Sequence, residues 1–395
     1  MLGSVKIMFE EFQSLSRQII ISLMLLLFFC FGFFPVYFSA NYSPSYDLIK
    51  NYPLFQIFGI GFLIVFILFI LNIIKKELKI TSIAFYAMIF ISLLNLYVHY
   101  FSVDQHHLEW QVNQYCNIIY KNYGVPHQYR FVPYGILWWF VLFSGNYIIS
   151  LLMYRFLFQY VLLAIIWKLA SIYNDKLTSV FILFVYAAFY PLSIHLYSGQ
   201  IIDPIFHLLF VLGLFCSIKK LYLPLIITII LGMFSKESII LLCPMIFILY
   251  PSKSHFKFSF FLITLALILF FLIRLYFGFD FSLEKINGVS QLMFYSNLGF
   301  SKGMAKSVFP IYLRYLHPII FVWIPFFILM FYNKFISRNL FYSCAYISFS
   351  IYITNTLFGW NHESRNFIPG FIFNICILIF CIKKDYLKKI RKHET

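Results

Sequence analysis

Hydrophobic runs recur from near the start of this 395-residue chain to its end. They are about 15–23 residues long, roughly what one helix needs to cross a bilayer. They fall near 19–38, 55–74, 81–101, 147–169, 177–196, 204–218, 221–235, 238–250, 258–277, 309–331, 339–357 and 366–382. Only helices and closed barrels satisfy every backbone polar group inside lipid, and runs this long read as helices. The expected fold is therefore all-α, a polytopic transmembrane bundle of about twelve spans. Composition agrees: 62% of residues are hydrophobic, 11% are charged, and mean hydropathy is +0.86. A soluble chain carries roughly a quarter charged residues.

The formal net charge of +16 suggests a nucleic-acid partner only until the basic residues are placed. They stand in short clusters between apolar runs, as cytoplasmic loops do. With the N-terminus inside, the inner segments receive Lys6, Arg17, Lys75, Lys76, Lys79, Lys168, Lys176, Lys219, Lys220, Lys253, Lys257, Lys334 and Arg338, then the tail from Lys383 to Lys392. That is roughly two-thirds of all basic residues. The run at 19–38 exceeds a signal-peptide core and reads as an uncleaved first span. The expectation is a multi-pass protein of the plasma (inner) membrane with both termini cytoplasmic. It would comprise an N-terminal hairpin (1–80), a membrane core (81–382) and a basic tail (383–395). Seven cysteines form no CxxC pair, so neither a disulfide framework nor a zinc site is expected.

The same layout gathers distant polar residues on the outer side. Asp104, His106, His107, Glu109 and Arg130 lie in the longest polar interruption of the first half, between 102 and 146. Asp203 lies in the turn before 204–218. Lys236 and Glu237 lie between two short apolar pieces, and His362, Glu363 and Arg365 lie in the last outer loop. Arg155, Arg274 and Arg314 stand inside runs, nearer their outer ends. Ionisable residues at the membrane are expensive and usually functional.

Each cluster also has a plainer reading. Leu108, Val112, Tyr115 and Ile119 recur at helical spacing, so 105–122 reads as an amphipathic helix lying on the outer surface. Asp104 then either caps that helix or serves as a general base. His106 and His107 offer metal-ligating chemistry, but their spacing matches no metal site, and no cofactor is expected. Arg130 either snorkels to headgroups or binds a phosphate. Asp203, before Pro204, either starts a helix or serves a site. Lys236 suits an anion, with Glu237 offsetting part of its charge. Tyr134–Phe143 is apolar but too short to span, and reads as an interfacial helix.

Four stretches together resemble the GT-C superfamily of polytopic membrane glycosyltransferases. They are VDQHHLEWQVNQY, QYRFVPYGILWW, FSKESIILL and HESRNFIP, in that order and on one side of the membrane. The resemblance covers most of residues 81–382. It implies a polyprenyl-phosphate sugar as donor and a glycan, lipid or protein as acceptor. It further implies an inverting transfer with Asp104 as base, and phosphate stabilisation by Arg130, Lys236 and Arg365. Family members place the acidic outer loop after the first span, which makes Asp47 a rival for that base. A polysaccharide polymerase or ligase using pyrophosphate lipids is the nearest alternative. A lipid or sugar transporter is the next, although no internal repeat is visible.

Overall fold

The computed structural model describes residues 80–102, 105–119, 130–194, 201–277, 317–358 and 364–393. Among them every regular element is helical. In chain order these are α1 (Ile80–Ser102), α2 (Gln105–Ile119), α3 (Phe131–Ser144), α4 (Tyr147–Tyr173), α5 (Lys176–Ile194) and α6 (Ile202–Lys219). Then come α7 (Tyr222–Met233), α8 (Met245–Leu249), α9 (Lys253–Phe277), α10 (Ile324–Phe331), α11 (Arg338–Phe358) and α12 (Ile368–His393). By contacts the chain divides into two units, Met1–Tyr86 and Ala87–Thr395, and the packing below is that of the second. The expected spans 19–38 and 55–74, and all of the expected hairpin 1–80 except Ile80, lie outside the described residues.

Local chemistry sets the boundaries. Gly145 takes φ 68 and its N–H bonds Val141 O at 2.9 Å, which ends α3. The Oδ1 of Asn146 then accepts from the N–H groups of Ile148 (2.9 Å) and Ile149 (3.2 Å), which starts α4. The apolar stretch expected at 238–250 is broken: a 3-10 turn over Glu237–Leu242 gives way at Cys243-Pro244 to the short α8. The proline lacks an N–H and cannot continue the first turn's ladder. A π-helical segment, Ile319–Trp323, precedes α10. The wider turn accommodates Pro325, which would otherwise crowd the carbonyl four residues back. α12 carries the basic stretch from Lys383 on as far as His393. Beside it, Lys383 pairs with Asp175.

α4, α6 and α9 are long and apolar enough to cross a membrane. Their burial differs sharply. In α6, 83% of the apolar window is buried, against 22% in α9. α6 is the axis of the bundle, packed by α3, α4, α7, α8 and α12. α9 exposes Phe260, Leu267, Phe271 and Leu275 along one side. A contiguous apolar surface of that size suits lipid rather than water.

Two glycines let the axis close. A methyl group on Gly232 would lie 2.9 Å from both Cβ and Cγ2 of Ile239, with Cγ1 closer still. On Gly213 it would meet chiefly Cδ1 of Leu242, the mobile end of a side chain. Gly232→Ala is therefore expected to destabilise the protein by about 1–3 kcal/mol, as overpacking does. Gly213→Ala is expected to cost less. Thermal melts of the two variants in one detergent check the order.

Candidate functional site

The residues expected on the outer side of the membrane, where described, come from four helical junctions. Asp203 opens α6, one turn before His207 on the same face. Lys236 and Glu237 sit where α7 gives way to the 3-10 turn. Arg130 precedes α3, and Arg365 lies in the 3-10 turn Ser364–Asn366 before α12. The junction between α7 and the 3-10 turn is held tightly. Gly232 O accepts from Ser235 N (2.8 Å) and Lys236 N (2.7 Å), and Ser235 Oγ donates to Leu231 O at 2.9 Å. The start of α3 is pinned to it: Val132 N donates to Phe234 O at 3.3 Å, and the Phe131 and Phe234 rings lie 5.0 Å apart.

Two ionic centres result. In the first, Arg365 Nη1 donates to Asp203 Oδ2 at 3.1 Å, with side-chain exposures of 4% and 7%. The Nε2 of His207 donates to the Arg365 carbonyl at 2.7 Å, which fixes the backbone behind that guanidinium. Lys236 donates to the Asn366 carboxamide oxygen and lies 4.6 Å from the centre of the Phe206 ring. Arg155, itself buried, stands within electrostatic reach of Asp203. The hydroxyl of its neighbour Tyr154 donates to Ile201 O at 2.6 Å, tying α4 to the start of α6.

In the second centre, Glu237 Oε2 accepts from Arg130 Nε (3.3 Å) and Nη2 (3.1 Å), while Oε1 accepts from Arg274 Nη2 at 3.3 Å. One carboxylate thus holds two guanidiniums from distant segments. These side chains remain 17–25% exposed, more open than the first centre. Lys236 is fully extended (φ −163, ψ 129). Neighbouring side chains on extended backbone point opposite ways, so Lys236 serves the first centre and Glu237 the second.

The structure thus brings Arg130, Asp203, Lys236, Glu237 and Arg365 into two adjoining centres. It adds Arg155, His207 and Arg274, which the sequence reading did not assign to the site. A signal existed for each. Arg155 and Arg274 are charges inside apolar runs, and Asp203 and His207 share the spacing that stacks side chains on one helical face. Asp47, Asp104, His362 and Glu363 lie outside the described residues. His106 and His107 lie on α2, whose side chains are described only from Gln111 onward.

Among the side chains of α2 that are described, Gln111, Gln114, Tyr115 and Ile118 are buried, while Val112 and Ile119 are half-buried. The helix packs on α3, and the Tyr115 ring lies 5.1 Å from that of Tyr147 at the start of α4. Gln111 and Gln114 thus face into the protein beside Tyr115 and Ile118.

Five cationic side chains, Arg130, Arg155, Lys236, Arg274 and Arg365, gather at these junctions with Asp203 and Glu237. Guanidinium and ammonium groups together are matched to phosphate oxygens. Among the described residues no cluster of three His, Cys, Asp or Glu side chains is placed to hold a metal. No family model, curated protein or solved structure matches this chain.

Proposed function

We propose that the chain is a polytopic membrane glycosyltransferase. It moves a sugar from a polyprenyl-phosphate donor to a lipid, glycan or protein acceptor on the outer face of the plasma membrane. The observation that carries this reading is the gathering of Arg130, Lys236, Arg274 and Arg365 at one set of helix junctions in a chain with membrane-length apolar helices. A sugar phosphate bound there presents its leaving group to Arg130, Lys236 and Arg365. The acceptor hydroxyl or amine loses its proton to Asp104 and attacks the anomeric carbon. The bond from that carbon to the phosphate oxygen breaks, and polyprenyl phosphate departs with both electrons. Fixed cations in a site of low dielectric stabilise the charge that develops on this oxygen. Configuration inverts in the single displacement.

The test uses the full chain purified in detergent, with polyprenyl-phosphate sugars carrying radiolabel in the sugar. Label is expected to move to acceptor, with one equivalent of polyprenyl phosphate released. A protein that consumes none of a broad donor panel overturns the reading, and a normal rate in Asp104→Asn removes Asp104 from it. A second reading has one observation in its favour. Two cationic centres on opposite sides of the Lys236–Glu237 dipeptide also suit the two phosphates of a lipid diphosphate. Such a donor would make the chain a polymerase or ligase. Consumption of diphosphate-linked donors alone selects that alternative.

A further inference from the structure

At the end of α9 remote from Arg274, a cleft of about 430 Å³ is lined by Phe247, Ser252, Lys253, Phe256 and Lys257. We infer that this cleft binds one anionic glycerophospholipid, its phosphate on Lys253 and Lys257 and an acyl chain along Phe247 and Phe256.

Four observations support this occupant. Lys253 and Lys257 are one helical turn apart on the first turns of α9, both exposed. The positive end of the helix dipole repels them there, and an anion relieves that repulsion. Neither has an acidic partner among the described residues. The surroundings deepen the positive field: Lys219 and Lys220 are exposed at the end of α6, and Lys220 lies 4.0 Å from the centre of the Tyr250 ring, two residues before Ser252.

The walls are fixed in place. The Phe247 and Phe256 rings meet edge to face at 5.4 Å. His255 is held between Tyr222 OH (3.0 Å) and Tyr250 O (2.8 Å), which sets the first turn of α9 against α7. Finally, the cleft is continuous with apolar surface. Phe256 is 56% exposed and Phe260 62%, and the same side of α9 runs on through Leu267 and Phe271. A chain of hydrocarbon seated on Phe256 therefore continues along a helix of membrane length. A free anion would use the lysines but not this apolar path, so the occupant is a lipid.

The test offers the purified full chain an equimolar mixture of dioleoyl phosphatidylglycerol and dioleoyl phosphatidylcholine, and native mass spectrometry reads the retained lipid. One phosphatidylglycerol is expected to stay bound. In Lys253→Gln/Lys257→Gln its retention is expected to fall roughly thirtyfold, the loss of two surface cations acting on one headgroup. The exposed substitutions leave the melt midpoint unchanged. Equal retention of phosphatidylcholine overturns the inference, as does an unaltered double variant. An equal loss in the charge-matched Lys176→Gln/Lys334→Gln shows a diffuse basic surface and also overturns it. Displacement of the lipid by millimolar inorganic phosphate shows a simple anion site and has the same consequence.

Discussion

Asp203→Ala is expected to destabilise the protein by about 3–5 kcal/mol, the usual effect of leaving one member of a buried ion pair without its partner. Arg365 is 4% exposed and its guanidinium reaches Asp203 at 3.1 Å, so water cannot replace the lost carboxylate. The damage falls on the junction of α6 with α12, because Arg365 is also tied through its carbonyl to His207 on α6. The double variant Asp203→Leu/Arg365→Met is expected to recover most of the loss, since apolar replacement of a buried pair is often nearly neutral. Unfolding of both proteins in mixed micelles, followed by denaturant titration, measures the two values. A single variant within about 1 kcal/mol of the parent, the effect typical of a surface pair, means that this pair does not hold the junction.

Lys236→Met is expected to behave in the opposite way, with a small effect on stability and a large one on transfer. Lys236 donates to the neutral Asn366 carboxamide and lies against the Phe206 ring, and Asp203 keeps its hydrogen bond from Arg365 when the ammonium is removed. Methionine keeps the apolar stem against Phe206. If Lys236 stabilises the departing phosphate, the transfer rate falls by about 10²–10³, as removal of one preorganised charge stabiliser does. Lys236→Arg is expected to recover little, because the planar fork is not a substitute for a compact ammonium in a fixed position. Single-turnover measurement separates the chemical step from donor binding. A rate within threefold of the parent, with donor transfer intact, removes Lys236 from the phosphate contacts and leaves the reaction class standing.

Much of the fold was readable from apolar run length. The run at 147–169 became α4, that at 177–196 became α5, and that at 204–218 became α6, with ends adjusted by caps such as Asn146. Run length fails where a proline divides one stretch into two short turns, as at Cys243-Pro244. Helical spacing finds α2, but it does not show that Gln111 and Gln114 are buried beside Tyr115 and Ile118. A count of apolar residues cannot see a polar side turned inward to meet partners. At the site, the sequence marks which residues are too polar for their surroundings. It does not say which of them meet. Arg130 reaches Glu237 across 107 positions, and Asp203 meets Arg365 across 162. Such pairings are properties of helix packing, and no local pattern encodes them. His207 was within reach of local reasoning, because four positions along a helix return to the same face as Asp203.

α12 has a mechanical consequence. It contains no glycine after Gly370 and no proline after Pro369, the residues at which helices commonly bend. Arg365 stands just before its first turn, and Lys383, paired with Asp175, lies roughly 22 Å along the rod from Ile368. A stiff rod cannot shift at one end alone. A ligand that draws Arg365 away from Asp203 must therefore bend α12, slide it or tilt it as a body, and sliding or tilting strains the grip of Lys383 on Asp175. Spin labels at Asp385 and Lys176 measure this directly, and an unchanged separation on donor binding shows that the rod stays still.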